Sequence, residues 1–148
     1  MPNLHPRLEA DCVLLGHFPL CRLLLSKDSN YPWFLLVPDR DDIQEIHELS
    51  DEDQAQLIRE SSYVSRTLAQ RFDADKMNVA AIGNVVPQLH VHHIVRYESD
   101  PAWPSPVWNH TPAVPYSDEA LKERCRDWQT WVTEDPPSCG PFTAALIG

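Results

Sequence analysis

Residues 85–97 read VVPQLHVHHIVRY, an apolar run interrupted by polar side chains. Because side chains on a β-strand point alternately to opposite faces, a strand here places Gln88, His90 and His92 on one face. His93 then lies on the other face, which predicts a core or interface histidine. An unpaired buried polar group costs about 1–3 kcal/mol, so a row of three such side chains indicates a ligand-binding face.

The two histidines of that row have the reactivity needed for phosphoryl or nucleotidyl transfer. Neutral imidazole is a nucleophile towards phosphorus, and a second imidazole can donate a proton to the leaving group. Strand rise separates His90 from His92 by roughly 6–7 Å, so both can contact one phosphate. The preceding turn is predicted to point the N–H of Val85 or Val86 at the same anion, because Pro87 has no N–H to donate.

The composition predicts one small domain that binds neither a nucleic-acid polymer nor a membrane. The chain has 148 residues and a formal net charge of −10 without a basic run, so it lacks the electrostatic signature of nucleic-acid binding. The N-terminus shows no signal pattern, and no apolar run approaches the ~20 residues of a membrane helix. The 4 cysteines form no Cys-x-x-Cys pair and are interpreted as reduced thiols. We therefore expect a cytoplasmic protein.

The chain predicts an α+β fold with a mostly antiparallel sheet of about five strands. Three apolar runs within residues 12–38 suggest a β-meander whose inner strands are covered on both faces. Residues 48–72 predict one long helix that begins after Ser50. Its apolar stripe runs through Leu57, Ser61, Val64, Leu68 and Phe72, with Ile58 beside it. Residues 116–132 predict a second, C-terminal helix capped by Ser117.

Residues 98–116, which we call the Pro/Trp arm, contain five prolines and two tryptophans and cannot form a strand. Trp103 and Trp108 are costly to leave in water, which favours an ordered surface arm, with an exposed partner-binding patch as the alternative. We assign residues 1–100 to a catalytic domain. Residues 101–148 add most of the arm, the second helix and a loose tail from residue 133, packed on the same domain.

Residues 87–96, PQLHVHHIVR, resemble the signature of the histidine triad (HIT) family, which is His-φ-His-φ-His-φ-φ with φ apolar. The wider chain is similar as well, because LLVP at 35–38 precedes a helix that opens with LSDE at 49–52, and the signature hairpin follows. The resemblance covers roughly residues 8–98. It implies a HIT-like fold, a nucleotide substrate and a homodimer whose sheets join.

The resemblance also implies a role for each position of the motif. His90 falls on the covalent nucleophile, and His92 falls on the histidine that contacts phosphate and assists the leaving group. Gln88 replaces the first histidine, which supports the site by hydrogen bonding; glutamine can still donate and accept such bonds but cannot titrate. Asp28 or Ser26 lies in the region of the family's ribose-binding residue, although the same segment is also an ordinary turn.

Three further positions are candidate substrate contacts. Asn84 is either a polar contact or only a turn residue. Val85 stands where many family members have serine or threonine, so it offers only its N–H. Arg96 matches a basic residue that often follows the signature, with a solvent-exposed arginine at a strand end as the alternative reading.

Three functions are compatible with these residues. The first is a nucleotide hydrolase or nucleotidyl transferase that acts at the α-phosphate of a dinucleoside polyphosphate or nucleoside phosphoramidate through a nucleotidyl-histidine intermediate. It requires no cofactor, and Mg²⁺ is expected only with a polyphosphate substrate. The second is a divalent-metal site on His90 and His92, with a carboxylate or His93 as third ligand. The third is a nucleotide-binding or partner-binding module with weak turnover, for which Gln88 is the motivation.

Overall fold

The computed structural model describes residues 2–146 and shows a six-stranded antiparallel sheet between two layers of helix and loop. The strands are β1 (Cys12–His17), β2 (Cys21–Ser26), β3 (Trp33–Pro38), β4 (Lys76–Ala80), β5 (Val91–Arg96) and β6 (Thr143–Ala144). The helices are α1 (Pro6–Asp11), α2 (Asp51–Arg71) and α3 (Asp118–Glu134), and a short 3-10 turn spans Ile46–Glu48. The strand order is β4-β5-β3-β2-β1-β6. The α+β class, the long helix and the C-terminal helix are confirmed, and the sheet has one strand more than expected.

Both faces of the inner strands are covered, as the continuous apolar runs predict. Phe34 of β3 packs in the core cluster that contains residues of α2 and α3, and we call this side of the sheet the helix face. Leu35 packs on the opposite side with Leu8 of α1. Ile94 of β5 also lies on that side and packs with Val107 of the Pro/Trp arm, so we call it the arm face.

The helix α2 begins where the sequence predicts, and the Ser50 hydroxyl accepts the Asp53 N–H at 3.1 Å. Most of the predicted stripe is buried, but Ile58 is 61% exposed and does not belong beside it. Glu60 of the same helix is buried instead of Ile58. The Glu60 carboxylate accepts the backbone N–H groups of Leu20 and Cys21, each at 2.9 Å. A carboxylate in this position satisfies two donors at the turn before β2.

The C-terminal segment packs against the sheet, although the sequence suggests a loose tail. The Ser117 hydroxyl caps α3, and Trp128 of that helix is 1% exposed in the core. Beyond α3, β6 pairs with β1 through Gly16 and Ala144. A side chain at Gly16 would collide with the backbone of Thr143, so only glycine allows this close approach. Residues 147 and 148 of the predicted tail lie outside the described residues.

The signature stretch is a strand only in its second half. β5 begins at Val91, and residues 85–90 form an irregular segment ahead of it. The neighbouring strands explain this boundary, because the last β3 partner is Leu36 opposite Val91 and β4 ends at Ala80 opposite His92. The prediction that Gln88 shares a strand face with the histidines is therefore wrong: no partner strand imposes alternation there.

None of the helices in residues 2–146 combines the length and the apolar character that a membrane crossing requires.

Candidate active site

A cavity of about 530 Å³ opens on the arm face beside the start of β5. It contains both His90 and His92, which the sequence predicts as the reactive pair. Its other walls come from α1, from β2 and β3, from the turn before the signature and from the Pro/Trp arm. The lining residues besides the two histidines are Arg7, Leu8, Asp11, Cys12, Ser26, Trp33, Leu35, Ile82, Gly83, Asn84, Val85, Val86, Trp108 and Asn109.

His90 is oriented by the backbone just before it. Its Nδ1 lies 2.8 Å from the carbonyl oxygen of Gln88. A carbonyl oxygen can only accept, so Nδ1 carries the proton in this hydrogen bond. In the neutral ring the lone pair is then on Nε2, which is the nitrogen that can attack phosphorus.

His92 is held in the opposite tautomer. The indole Nε1–H of Trp33 donates a hydrogen bond to His92 Nδ1 at 2.9 Å, and an indole nitrogen has no lone pair with which to accept. Nδ1 of His92 therefore accepts, and the proton of the neutral ring is on Nε2. Burial and, to a smaller extent, the neighbouring His90 and His93 lower the pKa of His92 to about 3.

The two rings meet edge to face, with centroids 4.9 Å apart, and each residue is 7% exposed. One ring has its free lone pair on Nε2, while the other has its N–H there. A nucleophile and a hydrogen-bond donor are therefore adjacent at one cavity, which is the arrangement that attack on a phosphate ester or anhydride requires.

The side chain of Gln88 points away from the histidine pair. Its Oε1 accepts the backbone N–H of His5 at 2.8 Å, and its Nε2 donates to the carbonyl oxygen of Asn3 at 3.1 Å. Gln88 thus ties the N-terminal segment, which leads into α1, to the start of the signature. Only its backbone carbonyl contacts His90.

Of the predicted substrate contacts, the structure brings Ser26, Asn84 and Val85 to the cavity. Asp28 does not line it. The carboxylate of Asp28 accepts the N–H of Asn30 at 3.0 Å and the N–H of Val114 at 3.3 Å, and it thereby joins the turn after β2 to the arm.

Arg96 does not line the cavity either, and it is not a solvent-exposed arginine at a strand end. It is 2% exposed. Its guanidinium binds Asp100 at 2.7 Å, the side-chain oxygen of Asn78 at 2.7 Å and the carbonyl oxygen of Ser105 at 2.8 Å. It lies 5.7 Å from the ring centre of Trp103. Arg96 therefore holds the first part of the Pro/Trp arm against β5.

Two tryptophans enclose His92, and neither is predicted from the sequence as part of the site. The Trp108 ring lies 5.1 Å from the His92 ring and 5.8 Å from the Trp33 ring. Trp108 belongs to the arm, so residues beyond position 100 contribute to this cavity. The sequence predicts that Trp108 is covered, but it does not predict that the Trp108 ring packs against His92 and Trp33. Trp33 could be placed beside His92 only from the register between β3 and β5.

Within residues 2–146 there is no group of three or more His, Cys, Asp and Glu side chains placed to hold a metal ion. His93, which the metal hypothesis offers as a third ligand, is 0% exposed on the helix face. Its Nε2 lies 2.7 Å from the hydroxyl of Ser61. This environment confirms His93 as a core histidine.

The described geometry agrees with comparisons with known proteins. A family model described as HIT domain matches residues 7–99. A histidine triad protein from Marinobacter aquaeolei VT8 is 49% identical and superposes with a TM-score of 0.87, over 90% of this chain and 98% of that one. A histidine triad protein from Bradyrhizobium japonicum is 44% identical, with a TM-score of 0.85 over 88% and 97% of the two chains. One from Sinorhizobium meliloti 1021 is 41% identical, with a TM-score of 0.82 over 90% and 96%. No curated protein matches significantly.

Proposed function

The chain belongs to the histidine triad (HIT) family, and we propose that it is a nucleotide hydrolase or nucleotidyl transferase that acts at an α-phosphate. Members of this family are often enzymes of these two kinds. The observation that carries the proposal is the pair of opposite tautomers at one cavity, with His90 held by a carbonyl oxygen and His92 by an indole N–H. Substrates of the class are dinucleoside polyphosphates and nucleoside phosphoramidates.

The proposed reaction has two displacement steps. His90 Nε2 attacks the α-phosphorus, a P–N bond forms, and the bond to the leaving group breaks with its electron pair on the leaving atom. The ring keeps its proton on Nδ1 and becomes cationic, and the carbonyl dipole of Gln88 stabilises that charge. Water or another hydroxyl acceptor then attacks phosphorus and releases its proton to solvent, while the P–N bond breaks and its electron pair returns to His90. His92 donates its Nε2–H to a phosphate or leaving-group oxygen.

The walls of the cavity suit a nucleotide without an added cofactor. Trp33, Trp108 and Leu35 provide apolar surface for a nucleoside, while Ser26 and Asn84 provide polar groups. The N–H of Val85 is a proposed phosphate donor. We propose no resident metal or cofactor, with Mg²⁺ accompanying only a polyphosphate substrate.

We also propose that the protein is a homodimer. The strand β4 is at the edge of the six-stranded sheet, and Val79 on it is 49% exposed. An edge strand with an exposed apolar side chain can pair with the same strand of a second copy. A cytoplasmic location and the absence of a nucleic-acid partner remain predictions from composition.

The decisive experiment is to trap the intermediate. The protein is mixed with a dinucleoside polyphosphate or a nucleoside phosphoramidate, quenched, and examined by intact-mass spectrometry for a nucleotidyl adduct. His90→Ala should abolish both adduct and turnover, because the attacking nitrogen is gone. The matched control is His47→Ala, at an exposed histidine of the 3-10 turn, which should leave both unchanged. Full turnover in His90→Ala contradicts the mechanism.

The alternative function is a HIT-fold module that binds nucleotides or a partner with little turnover. It is favoured by one observation, that the first position of the motif is an untitratable glutamine whose side chain is engaged with Asn3 and His5. Calorimetry distinguishes the two functions. Nucleotide binding without any trapped adduct or product would support the binding module.

A further inference from the structure

We propose that Trp33 is a positioning residue that holds His92 as a neutral hydrogen-bond donor, so that the site favours leaving groups that depart as anions over those that must be protonated. This inference deepens the proposed function and rests on it. It assigns a role to a residue that the signature does not include, and it predicts different reaction rates for the two substrate classes.

The position of Trp33 is fixed from several sides. Backbone pairing places Trp33 opposite Ile94 and Leu35 opposite His92, so the indole and the imidazole lie on the same face of adjacent strands. Their ring centroids are 5.5 Å apart. Trp108 packs edge to face on the indole at 5.8 Å. A Trp33 side chain packed in this way cannot rotate away from His92 without disturbing the arm.

This contact determines what His92 can do with a proton. Protonating His92 would put a hydrogen on Nδ1, where it would face the indole N–H that now donates to that atom. Two donors would then oppose each other in a buried place, and the hydrogen bond would be lost. The low pKa of His92, about 3, likewise shows that protonation of this ring is unfavourable. The other titratable groups at the cavity are His90, Arg7, Asp11 and Cys12.

A neutral imidazole offers a hydrogen bond but is a poor acid. When His90 attacks a phosphoric anhydride, the P–O bond breaks, its electron pair goes to the leaving oxygen, and a phosphate anion departs without needing a proton. When His90 attacks a phosphoramidate, the P–N bond breaks and the leaving nitrogen must receive a proton before or during departure. His92 Nε2–H can stabilise the first leaving group, but only an imidazolium could readily protonate the second.

The first experiment compares two substrates with the same nucleoside, diadenosine tetraphosphate and adenosine 5′-phosphoramidate, in the wild-type protein. The rate of adduct formation and kcat/KM are measured from pH 5 to pH 8. A general acid typically contributes about 100-fold or more, so the anhydride should react at least ~100-fold faster at neutral pH. Equal or faster reaction of the phosphoramidate would overturn the inference. If neither substrate gives an adduct, the proposed function fails instead.

The second experiment removes the indole donor. Trp33→Phe keeps an aromatic ring but cannot donate to Nδ1, and we expect its preference between the two substrates to narrow most at acidic pH. The matched control is Trp131→Phe, because Trp131 is also half-buried but packs on Phe72, remote from the cavity. It should leave the substrate preference and its pH profile unchanged. A Trp33→Phe profile identical to that of the wild type would contradict the role of Trp33.

A third measurement tests Trp33 without catalysis, and its first part uses only the wild-type protein. Nitrogen-15 NMR of His92 in the wild-type protein should show a bare Nδ1 and a protonated Nε2 from pH 8 down to pH 5. In Trp33→Phe the ring should begin to titrate at a higher pH. The opposite tautomer in the wild type would overturn the inference even if the variant does not fold. This test of the His92 tautomer does not depend on whether the protein reacts with nucleotides.

Discussion

His92 and His93 are neighbours in the sequence and are both buried, but they occupy two different environments. His92 lies on the arm face, where Trp33 donates to its Nδ1 and its ring lines the cavity. His93 lies on the helix face, where Ser61 contacts its Nε2, and it does not line the cavity that contains His92. Burial lowers the pKa of His93 to about 4, so both rings are neutral at physiological pH. A low pKa therefore does not by itself distinguish the proposed catalytic histidine, His92, from the core histidine, His93.

The difference comes from what covers each face of the sheet. The long helices α2 and α3 close the helix face with a continuous core. The arm face is covered by the short helix α1 and by the Pro/Trp arm, which form two separate smaller clusters. Irregular segments leave space between them, and that space is the cavity beside His92. Three experiments test this difference between the faces. They remove the arginine that anchors the arm, replace each of the two histidines, and measure stability as a function of pH.

The largest effect is expected when the arm loses its anchor. Arg96→Met leaves the Asp100 carboxylate buried without its cation, which should lower the free energy of unfolding by about 3–5 kcal/mol. Activity should also fall, because the arm carries Trp108. Chemical denaturation of variant and wild type measures the first effect.

The matched control is Arg40→Met. Arg40 pairs with Asp53 through a similar fork of two contacts, at 2.8 Å and 3.2 Å, but on the surface. An exposed pair contributes about 0–1 kcal/mol, so this variant should be nearly as stable as the wild type. Equal losses at Arg40 and Arg96 would show that the arm does not depend on the buried pair.

An intermediate effect is expected when His92 and His93 are replaced by glutamine, one at a time. His92→Gln should lower kcat by about 100-fold, roughly 2.7 kcal/mol, with little loss of stability, because the flexible amide does not hold its N–H at the position of the imidazole Nε2–H. His93→Gln should leave kcat within a few-fold but lower the free energy of unfolding by about 1–3 kcal/mol, because it disturbs the contact with Ser61. Steady-state kinetics and denaturation of both variants give the comparison. A larger loss of kcat in His93→Gln than in His92→Gln would reverse the assignment.

The most gradual effect is a loss of stability in acid, which is small for each step in pH. The pKa values of His92 and His93 are about 3 and about 4 in the folded chain, below the ordinary value of 6.5. Below pH 6.5 the unfolded chain therefore binds protons that the folded chain excludes, and stability falls with pH. Each histidine should contribute a slope of about 1.4 kcal/mol per pH unit between roughly pH 6 and pH 4.

Denaturation curves at several pH values measure that slope. Replacing His92 or His93 by glutamine should reduce it by the contribution of one group, which separates the histidines from the carboxylates that titrate nearby. An unchanged slope in both variants would show that these rings are not held neutral by burial.

Much of this architecture follows from local patterns. The signature stretch predicts the histidine pair and the family from consecutive residues, and alternation within β5 places His92 and His93 on opposite faces. Helix caps at Ser50 and Ser117 are likewise local, since the bonded N–H is three residues away in each case. The turn residues Asn84 and Val85 reach the cavity because they adjoin the signature.

The contacts that define the site chemistry are not local. Gln88 binds the N-terminal segment 83 residues earlier in the chain, and Trp33 donates to His92 across 59 residues. Arg96 and Asp28 appear from the sequence to be substrate contacts, but the arm folds back and engages both of them.

The sequence alone therefore identifies the two candidate catalytic histidines, because their residue type and spacing lie within one short segment. The tertiary structure decides which tautomer each histidine adopts, and which polar side chains remain free to meet a substrate. The reason is that a side chain takes its hydrogen-bond partner from whatever packs against it, and strand register and the path of the arm bring those partners from distant parts of the chain.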